Sequence, residues 1–200
     1  AFHLMGCMLS AASCNKWFMD EILREKDYAR EQAEIKDLGE NKVFFLPYLM
    51  GERSPHNDPV VRAMFYGMSL DTSRSQMYQS VLEGVAYGLR DSLEVARGMG
   101  LEINSATLCG GGAKSPLWRA ILSNVLKLEL KIPANEEGPA LGGAILAAVA
   151  AGHFKDLSAA TDSIVKIKET LEPKGELMEK YDEGYAFFRK LYPAVKGLNY

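Results

Sequence analysis

Residues 110–116, Gly110-Gly111-Gly112-Ala113-Lys114-Ser115-Pro116, combine types and spacing that suit chemistry. Glycines let a backbone approach a ligand closely, and the free N–H groups at a helix start attract anionic or polar atoms. Ser115 and Pro116 have the types favoured at a helix cap and first helical position, so the segment reads as a glycine turn opening a helix. Such a turn is fitted to anionic or polar atoms, and the turn alone names no particular ligand. It does not match a Walker A loop, since no Gly-Lys-Ser/Thr follows the required spacer, and it lacks the GxGxxG order of dinucleotide folds. Taken alone it is weak evidence, since roughly a third of such turns are only tight connections.

Other polar residues admit plainer roles. Glu52, Arg53 and His56 occupy a loop that either faces a cleft or is a Gly-Glu-Arg-Ser-Pro turn held by its own hydrogen bonds. Asp58, before Pro59, reads as a turn residue rather than a base. Glu83 lies within a long helical pattern, where a structural role comes first. Lys114 either reaches a phosphate as a point charge or is simply exposed. His3 and His153 have no partner at ligand spacing. Cys7, Cys14 and Cys109 form no CxxC pair and read as small buried hydrophobes in a reducing cytosol, so neither a metal site nor a disulfide is expected.

Hydrophobic periodicity supplies the scaffold. Residues 8–24 carry an amphipathic helical pattern, and the charged run 20–40 reads as a solvated helix or connection. Residues 43–49 suit a buried strand, followed by a turn-rich loop over 51–59. A long helix begins near Ser73, where Gln76 completes a capping box, and Gly98 and Gly100 end it. Residues 106–109 form a strand into the glycine turn, and the helix after Ser115 leads to a strand over 129–132. Glu137-Gly138-Pro139 then opens a nearly all-apolar helix through Ala151, read as buried, with Ala140, Gly143, Ala144, Ala147 and Ala148 as a face of small side chains. A last helix after Pro173 places Tyr181, Tyr185, Phe188 and Tyr192 on one side. This order argues for an α/β domain with a mixed sheet.

Composition agrees. Hydrophobic residues make up 48% and charged residues 24% of the 200, the profile of a globular protein with a real core. A net charge of -3 leaves no basic footprint for nucleic acid or anionic membrane. Residues 138–152, the longest uncharged stretch, fall short of the roughly 20 apolar residues that cross a bilayer. Residues 1–4 show no leader pattern and no initiator methionine, and the chain is expected to begin inside a larger protein.

Five segments occur in a telling order: Met5-Gly6-Cys7-Met8-Leu9-Ser10-Ala11-Ala12, Pro47-Tyr48-Leu49-Met50-Gly51-Glu52-Arg53-Ser54-Pro55-His56, Leu82-Glu83-Gly84-Val85-Ala86-Tyr87, residues 110–118, and Ala140-Leu141-Gly142-Gly143-Ala144. Together they resemble the C-terminal domain of the FGGY carbohydrate kinases, over residues 5–192, and most of all the members that phosphorylate D-xylulose. The resemblance implies a ribonuclease H-like, actin-type ATPase fold with two domains around a cleft. Residues 1–200 would be the single C-terminal nucleotide-binding domain, with the first strands of its sheet outside the chain. It implies ATP and Mg²⁺ as cofactors and transfer of the γ-phosphoryl group to a small sugar held mainly by the N-terminal domain. Gly111, Gly112, Ala113, Ser115 and Pro116 would lie against adenosine, with the helix after Gly138 as an apolar wall. The catalytic aspartate and the phosphate loop would lie upstream, so no catalytic residue and no metal ligand is assigned here, and the chain alone is expected to be inactive. A cytoplasmic enzyme is implied, and the face meeting the first domain would favour self-association. Two other readings remain: a kinase for ribulose, gluconate or glycerol, and a non-catalytic sugar- or nucleotide-responsive module of the same fold.

Overall fold

The computed structural model describes residues 3–134 and 138–198. Glu137, the first residue of the expected helix opening, lies outside the described residues. The core is built on α3 (Arg74–Gly98), which starts as its capping box requires. Ser73 Oγ accepts the Gln76 N–H at 3.2 Å and Gln76 Oε1 accepts the Ser73 N–H at 2.9 Å, a pairing worth about 1 kcal/mol. Residues 78–88 are all buried, so for three turns the helix has no wet face. β1 (Phe44–Leu46) crosses it at Gly84, where a Cβ would collide with the Phe45 carbonyl oxygen. On another side lies α4 (Pro116–Leu126), fastened by the Trp118 indole N–H, which donates to the Leu82 carbonyl at 3.0 Å. α7 (Gly175–Phe188) and α8 (Leu191–Val195) turn Tyr181, Tyr185, Phe188 and Tyr192 inward, as their spacing predicts.

Among the described residues two sheets share this frame. β1 pairs antiparallel with β2 (Met64–Tyr66), setting Phe45 opposite Phe65. β3 (Ser105–Thr107) and β4 (Glu129–Pro133) run parallel with α4 as their crossover, and β5 (Ile167–Leu171) adds antiparallel, giving the expected mixed sheet in the order β3-β4-β5. α1 (Ala11–Trp17) continues through a π-helical turn, Phe18–Leu23, and is followed by α2 (Tyr28–Ala33).

Two expectations are overturned. The apolar helix α5 (Gly138–Ala150) packs against α6 (Leu157–Ile164) but buries only Ile145, so its small-residue face is open. Apolar composition states what a helix prefers, not what the chain provides to cover it. Cys14 is buried, but Cys7 is half-buried and Cys109 is exposed; all three are free thiols.

Glu83, inside α3, takes the structural role. Gln79 Nε2 and Tyr181 O–H donate to its Oε1 at 2.8 and 3.1 Å. Burial pushes its carboxyl up from 4.5 to about 7, against the pull of these donors, the Gly39 backbone and the Asn41 side chain. The unfolded chain releases this proton near 4.5 and the folded chain holds it to about 7. Between those values the native state binds more protons, so the stabilisation is complete below the unfolded value and is lost as pH rises through the folded one. Burial raises Asp91 and Glu52 as well, in the same direction. Urea midpoints are expected to fall between about pH 5 and about pH 8, and Glu83→Gln should flatten that fall. Parallel profiles for variant and wild type would exclude Glu83 as a contributor.

Candidate functional site

The glycine turn closes one end of a cleft of about 670 Å³. Gly110 sits at φ 88°, where a side chain would be strained, and the chain then makes a 3-10 turn over Gly111–Lys114. Ser115 caps α4 as its position in the sequence predicts: its Oγ accepts the Trp118 N–H at 3.0 Å, and Pro116 opens the helix. One wall of the cleft is Gly111, Gly112, Lys114 and Ser115 through Trp118. The opposite wall comes from α1, with Ala12, Asn15 and Lys16, and from α2, with Tyr28, Ala29, Gln32 and Ala33.

Small side chains make the walls smooth. A Cβ added at Gly111 would meet nothing within 4 Å, whereas one at Gly112 would reach the Trp118 ring at 3.0 Å. Gly111 therefore faces open cleft, and Gly112 lets the turn lie down on the indole. Among the described lining residues two are lysines and none is a carboxylate, so the cleft favours a neutral or anionic occupant. Lys16 pairs with Asp20 beside it.

A hydrogen-bonded line runs behind the walls. Ser115 Oγ lies 2.5 Å from Gln32 Oε1; Gln32 Nε2 lies 3.1 Å from the Tyr78 hydroxyl; that hydroxyl donates to Asn15 Oδ1 at 2.8 Å. It ties α4, α2, α3 and α1 together around the cleft.

The residues singled out from sequence divide accordingly. Gly111, Gly112, Ser115, Pro116 and Lys114 line the cleft; Ala113 faces a separate small crevice beside Cys109 and Pro133. Glu52 and Arg53 do not line it. Glu52 is buried, and its Oε1 accepts the Arg53 N–H at 2.7 Å and the Leu9 N–H at 3.4 Å, which holds the loop to the segment before α1; Arg53 is exposed. Asp58 is a turn residue, with Oδ1 accepting the Val60 and Val61 N–H groups at 3.1 Å each. His56 bonds the Tyr48 hydroxyl at 2.9 Å and stacks on Tyr192, and burial holds its pKa below the usual value. Among the described residues no group of three His, Cys, Asp or Glu side chains is placed to hold a metal ion.

Sequence reading missed half the site. Residues 28–33, read as part of a solvated connection, form the α2 wall, and the wall expected from α5 is supplied by α1 and α2 instead. Tyr28, Ala29, Gln32 and Ala33 lie one helical turn apart in pairs, the only signal that one face of this charged segment is inward.

The family model for the FGGY family of carbohydrate kinases, C-terminal domain, matches residues 1–151. The chain is 33% identical over 199 residues to a xylulose kinase of Staphylococcus epidermidis, covering 98% of the chain and 40% of that protein. It is 35% identical over 200 residues to the xylulose kinase of Escherichia coli K12, covering 96% of the chain and 40% of the relative. Among solved structures it resembles a xyloylose kinase from Brucella ovis, with a TM-score of 0.87 and 36% identity over 98% of this chain and 40% of that one. The chain thus spans two fifths of the length of these relatives.

Proposed function

Because the chain belongs to the FGGY family of carbohydrate kinases, as its C-terminal domain with the actin-type α/β fold, we propose that it is the nucleotide-holding half of an ATP-dependent sugar kinase. The cleft carries this reading. It is large enough for a nucleoside, mostly apolar, open at Gly111 and served by a few fixed polar groups, the usual make-up of a small-molecule site. Adenosine would lie between the glycine turn and the α1–α2 wall. D-xylulose is the acceptor favoured by the xylulose kinases among the relatives.

In this division of labour the residues 1–200 bind and orient, while the sugar and the base that takes its proton belong to the remaining length of the kinase. ATP supplies the phosphoryl group, and transfer then depends on alignment and on charge stabilisation. Mg²⁺ has no ligand set among the described residues, so no step is assigned to it here. No described helix is long and apolar enough to cross a membrane; a cytoplasmic setting is part of the proposal.

Titration of the chain with ADP is expected to show weak binding, detectable at about millimolar concentration. Gly111→Val should abolish it while leaving the melting temperature nearly unchanged, because the new side chain enters open cleft and meets none of the described residues. No heat with ADP, or a Gly111→Val protein that binds as well as wild type, would move the nucleotide elsewhere.

A further inference from the structure

The order of donors in the line behind the cleft is determined by its shortest link. At 2.5 Å, the contact between Ser115 and Gln32 lies in the O–H···O range and is too close for N–H···O, so the Gln32 oxygen, not its nitrogen, faces Ser115. Ser115 Oγ already accepts the Trp118 N–H, which leaves its proton for Gln32. Gln32 must then present Nε2 to Tyr78, and the Tyr78 oxygen, having accepted that N–H, turns its own proton to Asn15 Oδ1. Burial raises the Tyr78 hydroxyl to about 12, so the proton stays in place. Nothing among the described residues engages Asn15 Nδ2, yet that atom is not sealed off, and Asn15 lines the cleft.

On the reading that a nucleotide occupies this cleft, we infer that Tyr78 and Gln32 are positioning residues: they hold Asn15 with its NH₂ toward the base, which selects a purine offering a ring-nitrogen acceptor. Tyr78 does not line the cleft, and Gln32, which does, has both ends of its amide committed to Ser115 and Tyr78. They act by forbidding the amide flip that would show Asn15 Oδ1 to the ligand instead. Reversal is built into the same line. In Gln32→Glu both carboxylate oxygens accept, so the Tyr78 proton turns back to position 32, its oxygen accepts from Asn15 Nδ2, and the Asn15 oxygen faces the cleft.

The test compares ADP with 1-deaza-, 3-deaza- and 7-deaza-ADP by calorimetry on the 200-residue chain. Wild type should bind one of the three about tenfold more weakly than ADP, the loss of one hydrogen bond. Tyr78→Phe and Gln32→Glu should each shrink that gap to under about threefold by weakening ADP itself. A purely structural role for Tyr78 would alter the melting temperature without changing the ratio between analogues. Should Tyr78→Phe fail to fold, Gln32→Glu, which keeps the Ser115 contact, decides the matter. ADP binding with all three analogues equal to it, or variants that keep the wild-type ratio, overturns this inference alone. Absence of ADP binding overturns the nucleotide reading and this inference with it.

Discussion

Assayed alone with ATP and D-xylulose, the 200-residue chain is expected to release ADP at least about a hundredfold more slowly than the same residues joined to a sugar-binding half. An oriented base contributes about a hundredfold or more to such a transfer, and a positioned acceptor contributes further. The described residues lining the cleft include no carboxylate. The candidates elsewhere are committed: Asp58 to its turn and to Tyr192, Asp91 to Tyr185 at 2.6 Å, Glu83 to Gln79 and Tyr181. A coupled assay of ADP release on both proteins is the measurement. Turnover by the short chain near the rate of the joined one would mean that Asp58 or another carboxylate of these 200 residues acts as the base, and the proposed division of labour would fall.

Gly84→Ala should cost about 3 kcal/mol or more of unfolding free energy, the upper part of the range for overpacking a core. Its Cβ would point at the Phe45 carbonyl oxygen, which belongs to β1 and is not a flexible side chain that can step aside. α3 and β1 must therefore separate, which loosens Phe45 from the cluster of Phe65, Trp17 and Phe18 around it. In the helix interior alanine is ordinarily better than glycine by about 0.8–1.0 kcal/mol, so propensity predicts the opposite sign. Denaturant melts of the variant give the answer. A stabilised Gly84→Ala protein would show that the crossing is looser than its geometry indicates.

Local chemistry was legible where the sequence carries its own partner. Ser73 with Gln76, and Ser115 with Pro116, announce helix starts because cap and backbone are three residues apart. The glycine turn and half the cleft were readable for the same reason. The α2 wall was not, because the inward turn of Gln32 depends on Tyr78 and Ser115, 46 and 83 residues away, and no local pattern encodes such a partner. α5 failed in the other direction. Its composition speaks for burial, and the cover that burial requires is not set by the helix's own residues.

The open face of α5 bears on the fate of the polypeptide in a cell as well as on its chemistry. Residues 138–150 carry no charge, and 13 residues of helix make a rod about 20 Å long that, among the described elements, packs chiefly on α6 and buries only Ile145. Quality-control machinery recognises exposed apolar surface of this kind in unfinished proteins. A copy whose α5 stays uncovered would be held by chaperones or passed to proteases, so its abundance would report on the covering of α5 before any catalytic measurement does.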